Sequence, residues 1–371
     1  MNKGSKILTV LICGVLIGGS VYRLRSVGFL KKPPKPQYLT ESEAAVRPAY
    51  RQLSEREQTV YEALMRGISE KSENIQFPYE ISGDEYTKVY CLFEKQEGEA
   101  FYLGSSYFVS DKMRRAHIEY RDDTDTFAEK EAALSNVEKE VISGLPDSED
   151  DYDKVLYIHD YIVKNCEYVT GEEASYNSTA YGCLVDHKAN CEGYSKAFGL
   201  LAADAGLESV LVLGRTDKDE NHAWNQVKVN GEWYNIDVTW DDTDDDGMDR
   251  KLNFLCDDDM FGKNHYPRDN NFDIYECKAL AANYYVRNGR WAETEEEAEE
   301  ILRNALRDGG TGVELVFSNQ KAYRKFKEFF IENEYIFRAY IEERNSEAAK
   351  ISAAYTENEA ARYLKIDFSE S

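Results

Sequence analysis

Between Ser54 and about Lys71 the apolar residues Val60, Leu64 and Ile68 recur at helical spacing and predict a first helix. Short β-like runs follow around Lys88–Phe93 and Ala100–Val109. A second helix is expected over Phe127–Ile142, with Leu134, Val137 and Val141 on one side and Gly144 and Pro146 as its stop. A third covers Asp151–Lys164, turning Val155, Ile158 and Ile162 toward a core, and a fourth runs over residues 191–206 to Gly206. Ser209–Leu213 reads as a short apolar strand. Two β-runs, His222–Val229 and Glu232–Thr239, flank Asn230-Gly231, the strongest short-range hairpin signal. Leu252–Leu255 reads as a strand, and an irregular aromatic-rich stretch continues to about Arg290.

The remainder reads as a separate α+β unit. Thr294 and Glu297 suggest a capping box before a helix whose Ile301, Leu302, Ala305 and Leu306 share a face, with Gly309-Gly310 as its end. Glu293–Glu300 is the solvated first turn of that helix. Val313, Leu315 and Phe317 alternate as in a strand. A helix with Ala322, Phe326, Phe329 and Phe330 inward follows, and Leu364, Ile366 and Phe368 suggest a closing strand. The pattern divides the chain into residues 1–22, a signal peptide or membrane anchor; 23–45, a linker; 46–125, an N-terminal helix-plus-strands subdomain; 126–285, a central core; and 290–371, a small C-terminal domain.

The segment 1–22 is assigned on the apolar run Ile7–Val21, preceded by Lys3 and Lys6 and ending in Gly18-Gly19-Ser20. The run is shorter than the ~20 residues that span a bilayer comfortably. Pro33, Pro34 and Pro36 make an extended linker after it. An extracellular or cell-surface location, secreted or tethered, is expected, with membrane contact only through this segment. The 371 residues carry 45 Lys+Arg against 70 Asp+Glu, a net charge of −25, which argues against nucleic acid as a partner. Seven cysteines show no CxxC pair and no regular spacing, so neither a zinc site nor a disulfide scaffold is expected, and no metal or cofactor is called for.

One cysteine has chemistry around it. A thiol nucleophile needs a lowered pKa, a base within reach and a group that orients the base. Cys191 begins a helix, where free backbone N–H groups and the positive dipole end favour thiolate and offer donors to an oxyanion. With a two-residue turn at Asn230-Gly231, Val229 pairs with Glu232, Trp224 faces Asp237 and His222 faces Thr239. His222 and Asp237 then share a face as diagonal neighbours, about 7–8 Å apart at Cα. A carboxylate on one imidazole nitrogen would fix the tautomer and present the other nitrogen to Cys191.

The stretch Ala180-Tyr181-Gly182 through Lys188-Ala189-Asn190-Cys191-Glu192-Gly193-Tyr194, then His222-Ala223-Trp224-Asn225, then Trp233-Tyr234-Asn235-Ile236-Asp237-Val238-Thr239-Trp240, resembles the transglutaminase-like superfamily, in particular its bacterial extracellular branch. Tyr157-Ile158-His159-Asp160-Tyr161 is similar to the helix before the catalytic region in those proteins. The resemblance is specific over about Tyr152–Asp242 and does not reach the C-terminal unit. It implies an α+β fold with a papain-like core, a Cys-bearing helix packed on an antiparallel sheet. It also implies Cys191 as attacking thiol on a carboxamide or peptide carbonyl, His222 as proton carrier and Asp237 as its orienter. A thioester acyl-enzyme would pass its acyl group to an amine or to water, making the protein a peptidase, deamidase or transglutaminase with protein or peptide substrates. A non-catalytic adhesion or scaffold module at the cell surface is the alternative within the same fold.

Three weaker signals complete the reading. Asp242–Gly247 matches the opening of a calcium loop, but Asn253 stands where the closing glutamate belongs, so a solvated acidic loop is expected. His159, between Ile158 and Ile162, reads as a structural histidine bonded to a backbone carbonyl. Tyr181 reads as a packed aromatic rather than an oxyanion donor.

Overall fold

The computed structural model describes residues 39–107, 113–121, 126–171, 176–242, 251–346 and 350–370. Residues 1–22, read as a signal peptide or anchor, most of the linker, and 243–247 of the acidic loop lie outside these. No helix among the described residues is long and apolar enough to cross a membrane.

Helix α1 (Glu55–Ser69) begins with a complete capping box between Ser54 and Glu57 and buries Val60, Tyr61, Leu64 and Ile68. It packs against strand β1 (Asn74–Ile81) and helix α2 (Gly83–Gln96). The expected β-run at Lys88–Phe93 is therefore helical. Tyr86, Val89, Leu92 and Phe93 follow the i, i+3, i+4 pattern, and Ser82 caps the start. Strands β2 (Leu103–Tyr107) and β3 (Met113–Tyr120) complete a three-stranded sheet in the order β1-β3-β2.

Helices α3 (Phe127–Ser143) and α4 (Asp151–Asn165) form as read. The short strands β4 (Glu167–Tyr168) and β5 (Lys188–Ala189) pair in parallel and lead into helix α5 (Cys191–Asp204). Beneath α5 lies an antiparallel sheet in the order β8-β7-β6-β9, formed by β6 (Ser209–Thr216), β7 (Asn221–Val229), β8 (Glu232–Ile236) and β9 (His265–Pro267). Tyr194, Ala197, Phe198 and Leu201 of α5 are buried, and Asn225 of β7 donates through Nδ2 to the Ser195 carbonyl at 3.1 Å, tying sheet to helix. On its other side α5 lies close to β5 and the segment before it, and Gly193 makes room for them. A Cβ there would lie 2.4 Å from the Asn177 carbonyl oxygen and 2.8 Å from Ala189 Cβ.

The hairpin keeps the expected register from Val229↔Glu232 to Asn225↔Ile236. It ends sooner than expected, because Asp237 leaves the strand and caps a short helix α6 (Val238–Asp241). Thr239 is consequently helical, and His222 pairs with Gly214 of β6 instead. Leu252–Leu255 is a turn rather than a strand, and the one bridge nearby joins Asn235 to Cys256. A single buried apolar cluster runs from Ala49 to Ala282 and so includes both α1 and α5.

A second cluster spans Ala292–Phe368. Its sheet, in the order β10-β11-β13-β12, uses β10 (Trp291–Ala292), β11 (Gly312–Phe317), β12 (Ile351–Asn358) and β13 (Tyr363–Glu370). It is covered by α7 (Glu295–Arg307), α8 (Gln320–Phe326) and α9 (Tyr335–Arg344). The helix expected through Phe330 changes to a π-helical turn at Lys327–Glu332. Phe330 stays buried, whereas Phe329, expected inward, is 41 % exposed.

Candidate active site

Cys191 occupies the first position of α5. Asn190 caps the helix, its Oδ1 accepting from the backbone N–H of Glu192 at 3.0 Å and of Gly193 at 3.2 Å. Those two amides are thus spoken for, while among the described residues nothing accepts from the Cys191 amide. That N–H stays available to an oxygen arriving at the sulfur, in the positive field of the helix start. The thiol is partly exposed, and all six described cysteines are free.

His222 enters from the start of β7. Its Nε2 meets Asp237 Oδ2 at 2.6 Å, both side chains buried. A carboxylate oxygen only accepts, so Nε2 carries a hydrogen, and Nδ1 is the nitrogen left for the thiol. Burial alone would push the imidazole pKa down, but the Asp237 carboxylate and then the Cys191 sulfur raise it to about 10. Burial would likewise raise Asp237, but His222 first and His265 second hold its carboxyl well below the usual carboxylate range. The ring of His222 stacks on Trp240, centroids 5.1 Å apart.

The carboxylate is fully committed. Oδ1 accepts from Thr239 N at 3.0 Å and Trp240 N at 3.2 Å, which is the cap of α6, and Oδ2 also accepts from His265 Nε2 at 3.1 Å. His265 escaped the sequence reading because β9 joins β6 over a long separation in sequence and no local motif marks it. Its buried ring lies face to face with Phe261, centroids 3.7 Å apart, and is bonded through Nδ1 to Asn264. His222, Asp237 and His265 bring one ligand atom each within 4.8 Å of one another, the only such cluster of His, Cys, Asp and Glu among the described residues. Both imidazole Nε2 atoms donate to the carboxylate, so the cluster as bonded is a proton-holding network.

A second buried pair supports the first. His159, expected to bond a backbone carbonyl, instead meets two carboxylates: Nδ1 lies 2.8 Å from Asp160 Oδ1 and Nε2 lies 3.1 Å from Asp241 Oδ2. Burial works against its charge, but Asp160 and Asp241 raise its pKa overall. Asp241 ends the helix that Asp237 starts, so this pair pins α6 to α4. Asn253, at the position where a calcium loop would place glutamate, donates to Asp241 Oδ1 from its backbone and side-chain nitrogens at 2.8 and 3.0 Å. Tyr181 is a packed aromatic, stacked on Phe101 with centroids 4.8 Å apart.

The site opens on a cleft of about 1060 Å³ lined by His222, Thr239, Trp240, Tyr168, Asp217 and Glu220 among others. Tyr168 is 45 % exposed. Burial raises its phenol pKa, and the charges of Cys191 and Asp237 add to that. The Thr239 hydroxyl is buried with no hydrogen-bond partner among the described residues. Neither residue carried a recognisable signal in the sequence.

The pH dependence follows from these charges. His222 is held cationic above the ordinary imidazole value of ~6.5. The stability it contributes is therefore complete below that value and is lost as pH rises through about 10. Asp237 acts at the opposite end: its contribution is present above the ordinary carboxylate value of ~3.9 and is lost as pH falls through its lowered pKa. Thermal melting of the native chain between pH 6 and 10 is expected to show a declining midpoint, and His222→Ala to flatten that decline. A native midpoint that stays level across the interval would contradict the charged pair.

Residues 136–238 match the family model described as the transglutaminase-like superfamily, a span that includes Cys191, His222 and Asp237. Kyphoscoliosis peptidase of Homo sapiens is 25% identical over 171 residues, covering 40% of this chain and 26% of that protein, and the Mus musculus protein gives the same figures. The match thus spans about a quarter of the length of these curated relatives. Among solved structures, one titled as a TGase is 16% identical over 47% of this chain and 52% of its own, with a TM-score of 0.28. A chain from Cytophaga hutchinsonii, titled as a candidate cysteine protease, is 21% identical over 32% of this chain and 43% of its own, with a TM-score of 0.26. Over residues 136–238, the span that holds Cys191, His222 and Asp237, this chain is thus similar to the transglutaminase-like superfamily.

Proposed function

We propose that this protein is a thiol-dependent hydrolase or acyltransferase acting on protein or peptide amides, with Cys191, His222 and Asp237 as its catalytic residues. One observation carries the reading: His222 is bonded to Asp237 at 2.6 Å through Nε2, and its other nitrogen is left for a thiol at the start of a helix. The Cys191 thiolate adds to the amide carbonyl carbon, and the carbonyl oxygen takes up negative charge near the free Cys191 N–H. The imidazolium of His222 gives its Nδ1 proton to the departing amine or ammonia as the C–N bond breaks, leaving a thioester on Sγ. Neutral His222 then takes a proton from water or an amine, which attacks the thioester, and the sulfur leaves as thiolate. Asp237 holds the ring throughout and stabilises its cationic form. The Thr239 hydroxyl and Tyr168 offer polar contacts to the bound chain. An extracellular or cell-surface setting belongs to the same proposal and is supported by the apolar run Ile7–Val21.

The test is incubation of the native chain and Cys191→Ala with glutamine-containing and unblocked peptide libraries, with and without a primary amine. Native protein is expected to release ammonia or new amino termini, and Cys191→Ala neither. Ammonia without scission assigns deamidation or crosslinking, and new termini assign a peptidase. Equal turnover by the two proteins would overturn the proposal.

A further inference from the structure

A second cavity, about 300 Å³, lies between the central core and the β12–β13 turn. Trp240 and Asp217 line both this cavity and the cleft at His222, so the two spaces adjoin. The wall contributed by the turn includes Arg362, which is 7 % exposed. Its Nε is buried with no hydrogen-bond partner, and among the described residues no carboxylate lies within ion-pair distance of its guanidinium. A guanidinium withdrawn from water without an anion is costly, and native structures seldom keep one without a reason. Burial depresses its pKa although the more distant Asp259 and Asp257 oppose this.

Lys263, an exposed residue that lines the same cavity, is a second cation. Burial of its ammonium and the neighbouring Arg362 both push its pKa down. Met260, Phe261 and Leu252 give the lining an apolar part, beside Asn253, Asn264 and Asn358 and the acidic Asp217. Two cations, neither in an ion pair among the described residues, stand beside apolar side chains, an arrangement suited to a single oxyanion on an organic ligand. The guanidinium edge matches the two oxygens of a carboxylate. Polyanions are disfavoured by the chain's net charge of −25.

We infer that the Arg362 cavity binds a carboxylate of the peptide that occupies the cleft, either its C-terminus or an acidic side chain, with the peptide crossing Trp240. This rests on the proposed thiol chemistry only for the identity of the ligand as a peptide. The binding itself needs no reactive sulfur.

The test is calorimetric titration of the full chain with N-acetyl-Gly-Ala-Ala, its C-terminal amide, N-acetyl-Gly-Glu-Ala-amide and inorganic phosphate. At least one carboxylate peptide is expected to bind roughly tenfold tighter than the neutral amide. Which of the two does so tells terminus from side chain. Arg362→Gln is expected to erase that preference and Lys263→Gln, a surface change, to reduce it, while Cys191→Ala leaves it intact. Equal affinity of acid and amide peptides would overturn the inference. So would a preference that survives both Arg362→Gln and Lys263→Gln, or phosphate binding with no carboxylate-peptide preference. If Cys191 proves inert and the carboxylate preference stands, the catalytic reading fails alone and the cavity assignment holds.

Discussion

Asp237→Asn is expected to lower amide turnover on the order of 10³-fold and to destabilise the core by about 1–3 kcal/mol. In many thiol or serine sites the orienting group makes one hydrogen bond to the imidazole. Here the carboxylate accepts four, two on each oxygen: Thr239 N and Trp240 N on Oδ1, His222 and His265 on Oδ2. Asparagine has one oxygen. If that oxygen keeps the cap of α6, the amide NH₂ faces two imidazole N–H groups. If it faces the imidazoles, two buried backbone donors lose their acceptor. The substitution that looks conservative is thus penalised in either rotamer. The loss should fall on kcat more than on KM, since no substrate contact is removed. Turnover of a peptide amide and a denaturant midpoint check both parts, and turnover within about threefold of native would show that the second pair of bonds does not matter.

His159→Ala is the largest stability change expected, about 3–5 kcal/mol, because it strands Asp241 as a buried charge. Asp241 is 1 % exposed and would keep only its bonds from Asn253. In a core of this size the shift in melting temperature would be on the order of 10 °C. Two features separate this from ordinary loss of packing. Adding Asp241→Asn to His159→Ala should restore part of the stability, since the stranded charge is gone. The damage should also reach the site, because Asp241 and Asp237 terminate the same four-residue helix. Thermal melts of the two single variants and the double variant decide it, and a double variant less stable than His159→Ala would refute the stranded-charge explanation.

What could be read from the sequence was whatever a local signal announces. The Asn-Gly turn and the pairing outward from it put His222 and Asp237 on one face, and the start of α5 marked Cys191, while the meeting of the two came only from the resemblance. The same logic erred where two local signals competed. Asp237 is both the next residue of an alternating strand and a good helix cap, and the cap won, so the strand ends at Ile236 and Thr239 is helical instead of paired with His222. Val89-Tyr90-Cys91-Leu92-Phe93 has strand-like composition, yet Ser82 and the acidic first turn commit the segment to a helix whose buried positions match α-helical spacing. Partners brought in by tertiary structure left no trace. Asp241 lies 82 residues from His159, His265 is 28 from Asp237, and Arg362 meets the core only through the β12–β13 turn.

The central claim is that the sulfur of Cys191 is activated by His222 held on Asp237. The most direct measurement is the second-order rate of Cys191 alkylation by iodoacetamide at pH 6, followed by mass spectrometry, in the native chain and in His222→Ala. Faster alkylation of Cys191 than of a free thiol peptide, falling to the peptide's rate in His222→Ala, is the predicted result. Equal rates in the native chain, the variant and the peptide would contradict it.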